Sequence, residues 1–139
     1  AIEKLRDRTN IFVSVNNLKY MVRSGRLSKV SGIAAMSINL KPVVSIDTEG
    51  KGSIAEKAFS EKGNEKKLFR LLGKINTQEK VTRYAIVHAN NPEKAEVYRK
   101  RSVALLGKEP EYIMNISTIV GMSAGVGTVA ISYMCEEEL

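Results

Sequence analysis

The sequence predicts an α/β fold in which a mixed β-sheet carries helices packed on its faces. Short β-branched runs, such as Tyr84-Ala85-Ile86-Val87, alternate along the chain with longer segments of helical periodicity. Capping and turn residues separate the two kinds of segment. With 139 residues, 43% of them hydrophobic, the chain is long enough to bury the core of one domain. Strands that alternate with helices favour a sheet covered by helices.

The amino-terminal third is predicted to contain helix, strand, helix and helix. Residues 2–8 form the first helix, and the β-branched run 11–15 forms the first strand. A second helix begins after an asparagine cap at residue 16 or 17 and ends at Gly25. Ser28 caps a short apolar helix.

A β-hairpin and a long helix follow. Pro42 stands at the start of a strand, where its missing N–H is tolerated. Residues 43–47 and 51–55 are predicted strands, because Thr48-Glu49-Gly50 between them is a turn signal. Ser60 begins the next helix, whose apolar stripe consists of Leu68, Leu71, Leu72 and Ile75.

The last third of the chain is predicted to alternate between strands and helix again. Asn91-Pro92 opens a helix that ends at Gly107, as expected for proline in a first turn and glycine after a last one. A glycine-rich loop over residues 121–127 leads into the final strand. The three predicted strands of this part cover residues 81–89, 112–116 and 128–134.

Composition limits the classes of function. The net charge is +7, and residues 1–30 hold seven cations against two acids. This bias leaves open a basic protein- or nucleic-acid-interaction module. Aromatic residues do not alternate with the basic ones as single-strand binders require, so nucleic acid is not expected as a partner. No run approaches the ~20 apolar residues that span a bilayer, so stable membrane insertion is not expected. The single cysteine, Cys135, suggests a reducing, cytoplasmic compartment.

The sequence offers no convincing catalytic constellation. His88 is the only histidine, and it has no second histidine or cysteine pair with which to form a metal site or triad. Asp47 and Glu49 lie in the predicted hairpin, and Cys135 ends an apolar run. We therefore expect no enzyme activity, no cofactor and no metal. We expect His88 to be structural and Cys135 to be a buried thiol.

Three segments carry a family resemblance. The run 17–28 reads NLKYMVRSGRLS, the run 38–47 reads INLKPVVSID, and residues 120–127 read VGMSAGVG. Together they resemble the DegV family, bacterial fatty-acid-binding proteins whose corresponding run reads roughly LxYLxxGGRIS followed by an IKP strand. The resemblance covers the whole chain but only the second half of a DegV protein. It implies a single domain over residues 1–139 that is similar to the C-terminal lobe of that family.

This resemblance implies a function and its partners. A DegV-like lobe would hold the acyl chain of a long-chain fatty acid within a carrier that presents the fatty acid to a separate kinase. The expected partners are the fatty acid, an N-terminal lobe of the same protein and a fatty acid kinase subunit. The alternative from composition remains the basic interaction module without a lipid ligand.

The resemblance also suggests ligand-binding residues. Arg26, Ser123 and Gly125 match the region around the ligand head. The apolar lining is expected from Ile33, Ala34, Met36 and Ile38. Ser123 stands where the family usually has histidine, and Phe59 stands where it usually has a second arginine. A serine can still donate one hydrogen bond but carries no charge.

Overall fold

The computed structural model describes residues 2–25 and 39–137. Within these ranges six strands form one sheet in the order β3-β2-β1-β6-β4-β5. The strands are β1 (Thr9–Ser14), β2 (Val43–Ile46), β3 (Gly52–Glu56), β4 (Val81–His88), β5 (Ile113–Asn115) and β6 (Val129–Cys135). The helices are α1 (Ile2–Asp7), α2 (Lys19–Arg23), α3 (Glu61–Glu79), α4 (Pro92–Leu106) and α5 (Thr118–Ala124).

The sheet is mixed, as predicted. β4 and β5 are parallel and are joined through α4, whereas the other neighbouring strands are antiparallel. β1 lies between β2 and β6, with Phe12 opposite Ile131. The parallel pair brings the carboxyl ends of β4 and β5 to the same edge of the sheet.

Helices α3 and α4 cover one face of the sheet and enclose the main core. The predicted stripe on α3 is confirmed, because Leu68 and Leu72 are fully buried and Leu71 and Ile75 pack partly against them. The Ser60 hydroxyl caps α3 by accepting a hydrogen bond from the Gly63 amide at 3.0 Å. Every second strand residue joins this core, including Phe12, Val43, Tyr84, Ile86, Val129 and Ile131.

The opposite face of the sheet carries α2 and α5. Val15, Leu18 and Val44 form a second buried cluster there, with Met21 and Val22 of α2 packed against it. None of the described helices has the length and apolar character needed to cross a membrane.

Several predicted boundaries were wrong, and two of the differences are the largest. β1 begins at Thr9 rather than residue 11, because the strand pairs with β6 over its whole length. The predicted loop 121–127 is helical up to Ala124, and only residues 125–127 form a loop. Helix formation starts one turn earlier, where the Ser117 hydroxyl accepts from the Val120 amide at 3.5 Å. The predicted helix beginning at Ser28 lies outside the described residues.

Candidate functional site

The larger of two neighbouring cavities lies beyond the carboxyl ends of β4 and β5. It has a volume of about 830 Å³ and is bounded by α2, α5 and the turns after the two strands. This is the edge at which ligands commonly bind in sheets with parallel strands. Its polar lining consists of Tyr20, Arg23, Ser24, Asn90, Asn115, Ser117, Thr118 and Ser123. We call this cavity the cleft.

The smaller cavity is apolar and lies between the sheet and α5. Its volume is about 220 Å³. Its apolar lining consists of Ile11, Val13, Met21, Val44, Ile46, Val87, Ile116, Val120, Ala124 and Ala130. These strand residues alternate with those of the main core, so the cavity lies on the face away from α3 and α4. We call it the groove, and its lining suits a hydrocarbon rather than a polar ligand.

Ser123 lies where the two cavities meet. It is half-buried on α5 and belongs to the lining of both the cleft and the groove. Its hydroxyl can donate one hydrogen bond and accept others. A ligand that extends from the groove into the cleft would therefore pass this side chain.

Gly125 lines the cleft, but its main observed role is close packing. Its φ angle is +88°, and a Cβ atom at this position would lie 2.9 Å from Cδ2 of Tyr20. Its amide donates to the Gly121 carbonyl at 2.8 Å, which ends α5. Any contact of Gly125 with a ligand would therefore involve its Cα or carbonyl group rather than its N–H.

Hydrogen bonds join the end of β4 to the neighbouring turns. The His88 Nδ1 atom accepts from the Asn91 amide at 3.1 Å. The Asn91 side chain donates to the Gly127 carbonyl at 3.0 Å, and Asn115 Oδ1 accepts from the Asn90 amide at 3.0 Å. These bonds fix the wall of the cleft, and they confirm that His88 stabilises the turn between β4 and α4.

Five predicted site residues lie outside the described residues: Arg26, Ile33, Ala34, Met36 and Ile38. Of the predicted set, Ser123 and Gly125 come together at the cleft. Their assignment to ligand binding stays a prediction.

Sequence reasoning missed several cleft residues. Arg23 precedes the Gly25 stop by two residues, and it is the one lysine or arginine that the structure describes in the lining of the cleft. Asn90 comes shortly after the end of β4, and Asn115 is the last residue of β5, the strand parallel to β4. The asparagines could have been found from strand pairing, because parallel neighbours end at the same edge. Arg23 gave no signal beyond its place in the last turn of a short helix.

The buried thiol lies away from this site. Cys135 ends β6 beside the turn after α3, and it is 3% exposed. Burial, followed by the nearby Glu79 carboxylate, raises the pKa of the Cys135 thiol to about 11. The thiol is therefore protonated at neutral pH and is a poor nucleophile. Among the described residues, no group of three or more His, Cys, Asp or Glu side chains is arranged to hold a metal ion.

The chain matches one protein family over nearly all of its length. Residues 1–136 match the family described as "Uncharacterised protein, DegV family". A DegV domain-containing protein of Streptococcus pneumoniae is 30% identical over 128 residues, which are 91% of this chain and 45% of that protein. The chain thus spans about half the length of the curated relatives it matches.

Solved structures show the same architecture. The crystal structure of a fatty acid binding DegV family protein from Streptococcus agalactiae has a TM-score of 0.84 and 27% identity, covering 98% of this chain and 48% of that chain. The Streptococcus pneumoniae Fatty Acid Kinase (Fak) B3 protein, loaded with linoleic acid, has a TM-score of 0.82 and 18% identity over 97% of this chain and 47% of that chain. At the lower identity the likeness establishes the fold alone.

Proposed function

This chain belongs to the DegV family, and on that premise we propose that it is the acyl-chain-holding lobe of a protein that binds long-chain fatty acid. The observation that carries the proposal is the position of Ser123, between an apolar groove and a larger cleft with polar walls. An amphipathic ligand needs both environments, the groove for its apolar chain and the cleft for its polar head. The name of the Streptococcus agalactiae relative, a fatty acid binding protein, supports the same class of ligand.

The groove provides the driving force for binding. Each methylene removed from water contributes about 0.8 kcal/mol, offset by the cost of ordering the chain. The strand residues that face the groove, among them Val13, Val87 and Ala130, present no charged group to the hydrocarbon. The carboxylate would remain in the cleft near Ser123, where hydroxyl and amide groups can solvate it.

A preceding lobe of the same protein is the proposed companion. Three apolar residues on the rim of the cleft are strongly exposed: Ile119 at 74%, Met122 at 73% and Val126 at 75%. Exposed apolar surface of this kind usually marks an interface. Since the relatives are about twice as long, we propose that their additional lobe has a counterpart here that closes the cleft. The lobe alone should then bind fatty acid weakly.

We further propose that the protein is a carrier rather than an enzyme. It would act in the cytoplasm and present its fatty acid to a separate kinase subunit for phosphorylation. The printed name of the Streptococcus pneumoniae Fatty Acid Kinase B3 protein supports a link to such a kinase. The family match favours this function over the basic interaction module.

Two measurements test the proposal. Organic extracts of the natural full-length protein should contain a long-chain fatty acid in near-stoichiometric amount by mass spectrometry. A fluorescent fatty acid should bind the full-length protein with submicromolar Kd, and the isolated lobe about tenfold or more weakly. Absence of an acyl species together with no binding by the full-length protein would overturn the proposal. Equal submicromolar binding by the isolated lobe would overturn the role of the companion lobe.

A further inference from the structure

Arg23 lies on the wall of the cleft. It is the last residue of α2, and Tyr20 and Ser24 from the same segment line the cleft beside it. The helix is anchored underneath, because Leu18 is 3% exposed and packs in the second core cluster. The Tyr20 ring also packs against the loop at Gly125. Arg23 is therefore an exposed residue of the cleft lining, at the end of a helix that is anchored to the second core cluster.

The charge of Arg23 is not balanced locally. The described lining of the cleft includes no aspartate or glutamate, and its other polar groups are neutral hydroxyls and amides. Within the described chain, no carboxylate lies within ion-pair distance of Arg23. Most other arginines with described side chains do have such partners, as Arg70 has Glu56 and Arg101 has Glu65. One uncompensated cation among neutral donors is the pattern expected for binding an anion.

We infer that Arg23 recognises the anionic head of the lipid and sets a preference for charged over neutral heads. This inference rests on the proposed function, since it assigns the charged partner of the same site. Ser123 supplies a hydroxyl but no charge. Arg23 approaches the same cleft from α2, on the opposite wall, and supplies a guanidinium that can form two parallel hydrogen bonds to a carboxylate.

The test compares two ligands of equal chain length in the natural full-length protein. Oleic acid carries a carboxylate at neutral pH, and oleyl alcohol has a neutral head. Arg23→Met should weaken oleic acid binding about tenfold, the loss expected for one charge-assisted hydrogen bond at a partly exposed site. It should change oleyl alcohol binding less than about twofold. Arg23→Lys keeps the charge but cannot form two parallel hydrogen bonds, so it should restore only part of the oleic acid affinity.

Lys19→Met is the matched control. Lys19 begins the same helix, is exposed and does not line the cleft, so its loss removes one charge from α2 without touching the site. Its affinities for both ligands should match those of the unaltered protein. An Arg23→Met variant that loses neither ligand, or both ligands equally, overturns the inference. If the unaltered full-length protein binds no oleic acid, the proposed function itself fails.

Discussion

Tyr20 and Gly125 are in contact where α2 meets the loop after α5. A Cβ atom built on Gly125 would lie only 2.9 Å from Cδ2 and 3.3 Å from Cε2 of the Tyr20 ring. This contact joins the helix that carries Arg23 to the helix that carries Ser123. The two walls of the cleft are therefore held at a fixed spacing by a ring packed on a glycine.

Gly125→Ala should destabilise the lobe. The added methyl group clashes with Tyr20, and the backbone conformation (φ +88°, ψ 149°) is nearly restricted to glycine. We expect a loss of about 1–3 kcal/mol in the free energy of unfolding, measured by denaturant titration.

Gly107→Ala is the control for that substitution. Gly107 also has a positive φ, +71°, but a Cβ there would meet nothing within 4 Å. Gly107→Ala should therefore lower the free energy of unfolding by about 1 kcal/mol and leave fatty acid affinity unchanged. The account of the Tyr20 contact is wrong if Gly125→Ala is no more harmful than Gly107→Ala.

Asn64→Leu should be among the more damaging substitutions in α3. The buried side chain accepts from the Ser14 hydroxyl at 2.6 Å and donates to the carbonyls of Lys41 and Pro42 at 2.7 and 2.8 Å. Leucine could not form hydrogen bonds with the Ser14 hydroxyl or with the two carbonyls. We therefore expect the free energy of unfolding, measured by denaturant titration, to fall by about 2–4 kcal/mol. The exposed Gln78→Leu on the same helix should cost less than about 0.5 kcal/mol. Similar costs for the two variants would contradict this role of Asn64.

Ser123→Leu should reduce fatty acid binding by the full-length protein. The larger side chain would obstruct the junction of the groove and the cleft, and we expect at least a tenfold increase in Kd for a C18 fatty acid, which corresponds to about 1.4 kcal/mol. Ser123→Ala removes only the hydroxyl and should raise the Kd by less than about tenfold, the range expected for one neutral hydrogen bond. An unchanged Kd for Ser123→Leu would show that the ligand does not pass this residue.

Stability should fall in alkaline solution partly because of Cys135. Its pKa is raised from 9.0 to about 11 in the folded protein, so the unfolded chain loses this proton first as the pH rises. The contribution of the protonated Cys135 thiol to the free energy of unfolding is fully present below pH 9. It is lost between about pH 9 and 11. Melting temperatures recorded across this range should decline, and Cys135→Ala should lessen the decline. Tyr84, whose burial raises its pKa to about 12, should account for part of the remaining slope. If the melting temperature falls with pH equally steeply in the unaltered protein and in Cys135→Ala, Cys135 has no such role.

Local signals made the helical face of the sheet predictable. Ser60, Asn91 and Gly107 cap their helices in the structure as the sequence indicated, because capping depends on neighbouring residues. The stripe of α3 was also correct, since a period of 3.6 residues places Leu68 and Leu72 on one face.

The cleft was harder to predict because distant segments form it. Helix α5 was missed because Gly121 and Gly125 resemble loop residues, although the Ser117 cap starts a helix there. The place of Arg23 in the cleft wall depends on the packing of α2 against α5, which no local pattern encodes. Ser123 was proposed from the family resemblance, and the structure places it at the junction of the two cavities.

The most direct measurement would locate the hydrocarbon itself. Crystals of the natural full-length protein with a fatty acid brominated in mid-chain would give an anomalous diffraction peak at the bromine. We expect this peak in the groove, in contact with Val87 and Ala130, and the carboxylate in the cleft beside Arg23 and Ser123. A bromine peak outside the groove, with the groove filled by protein side chains, would contradict it.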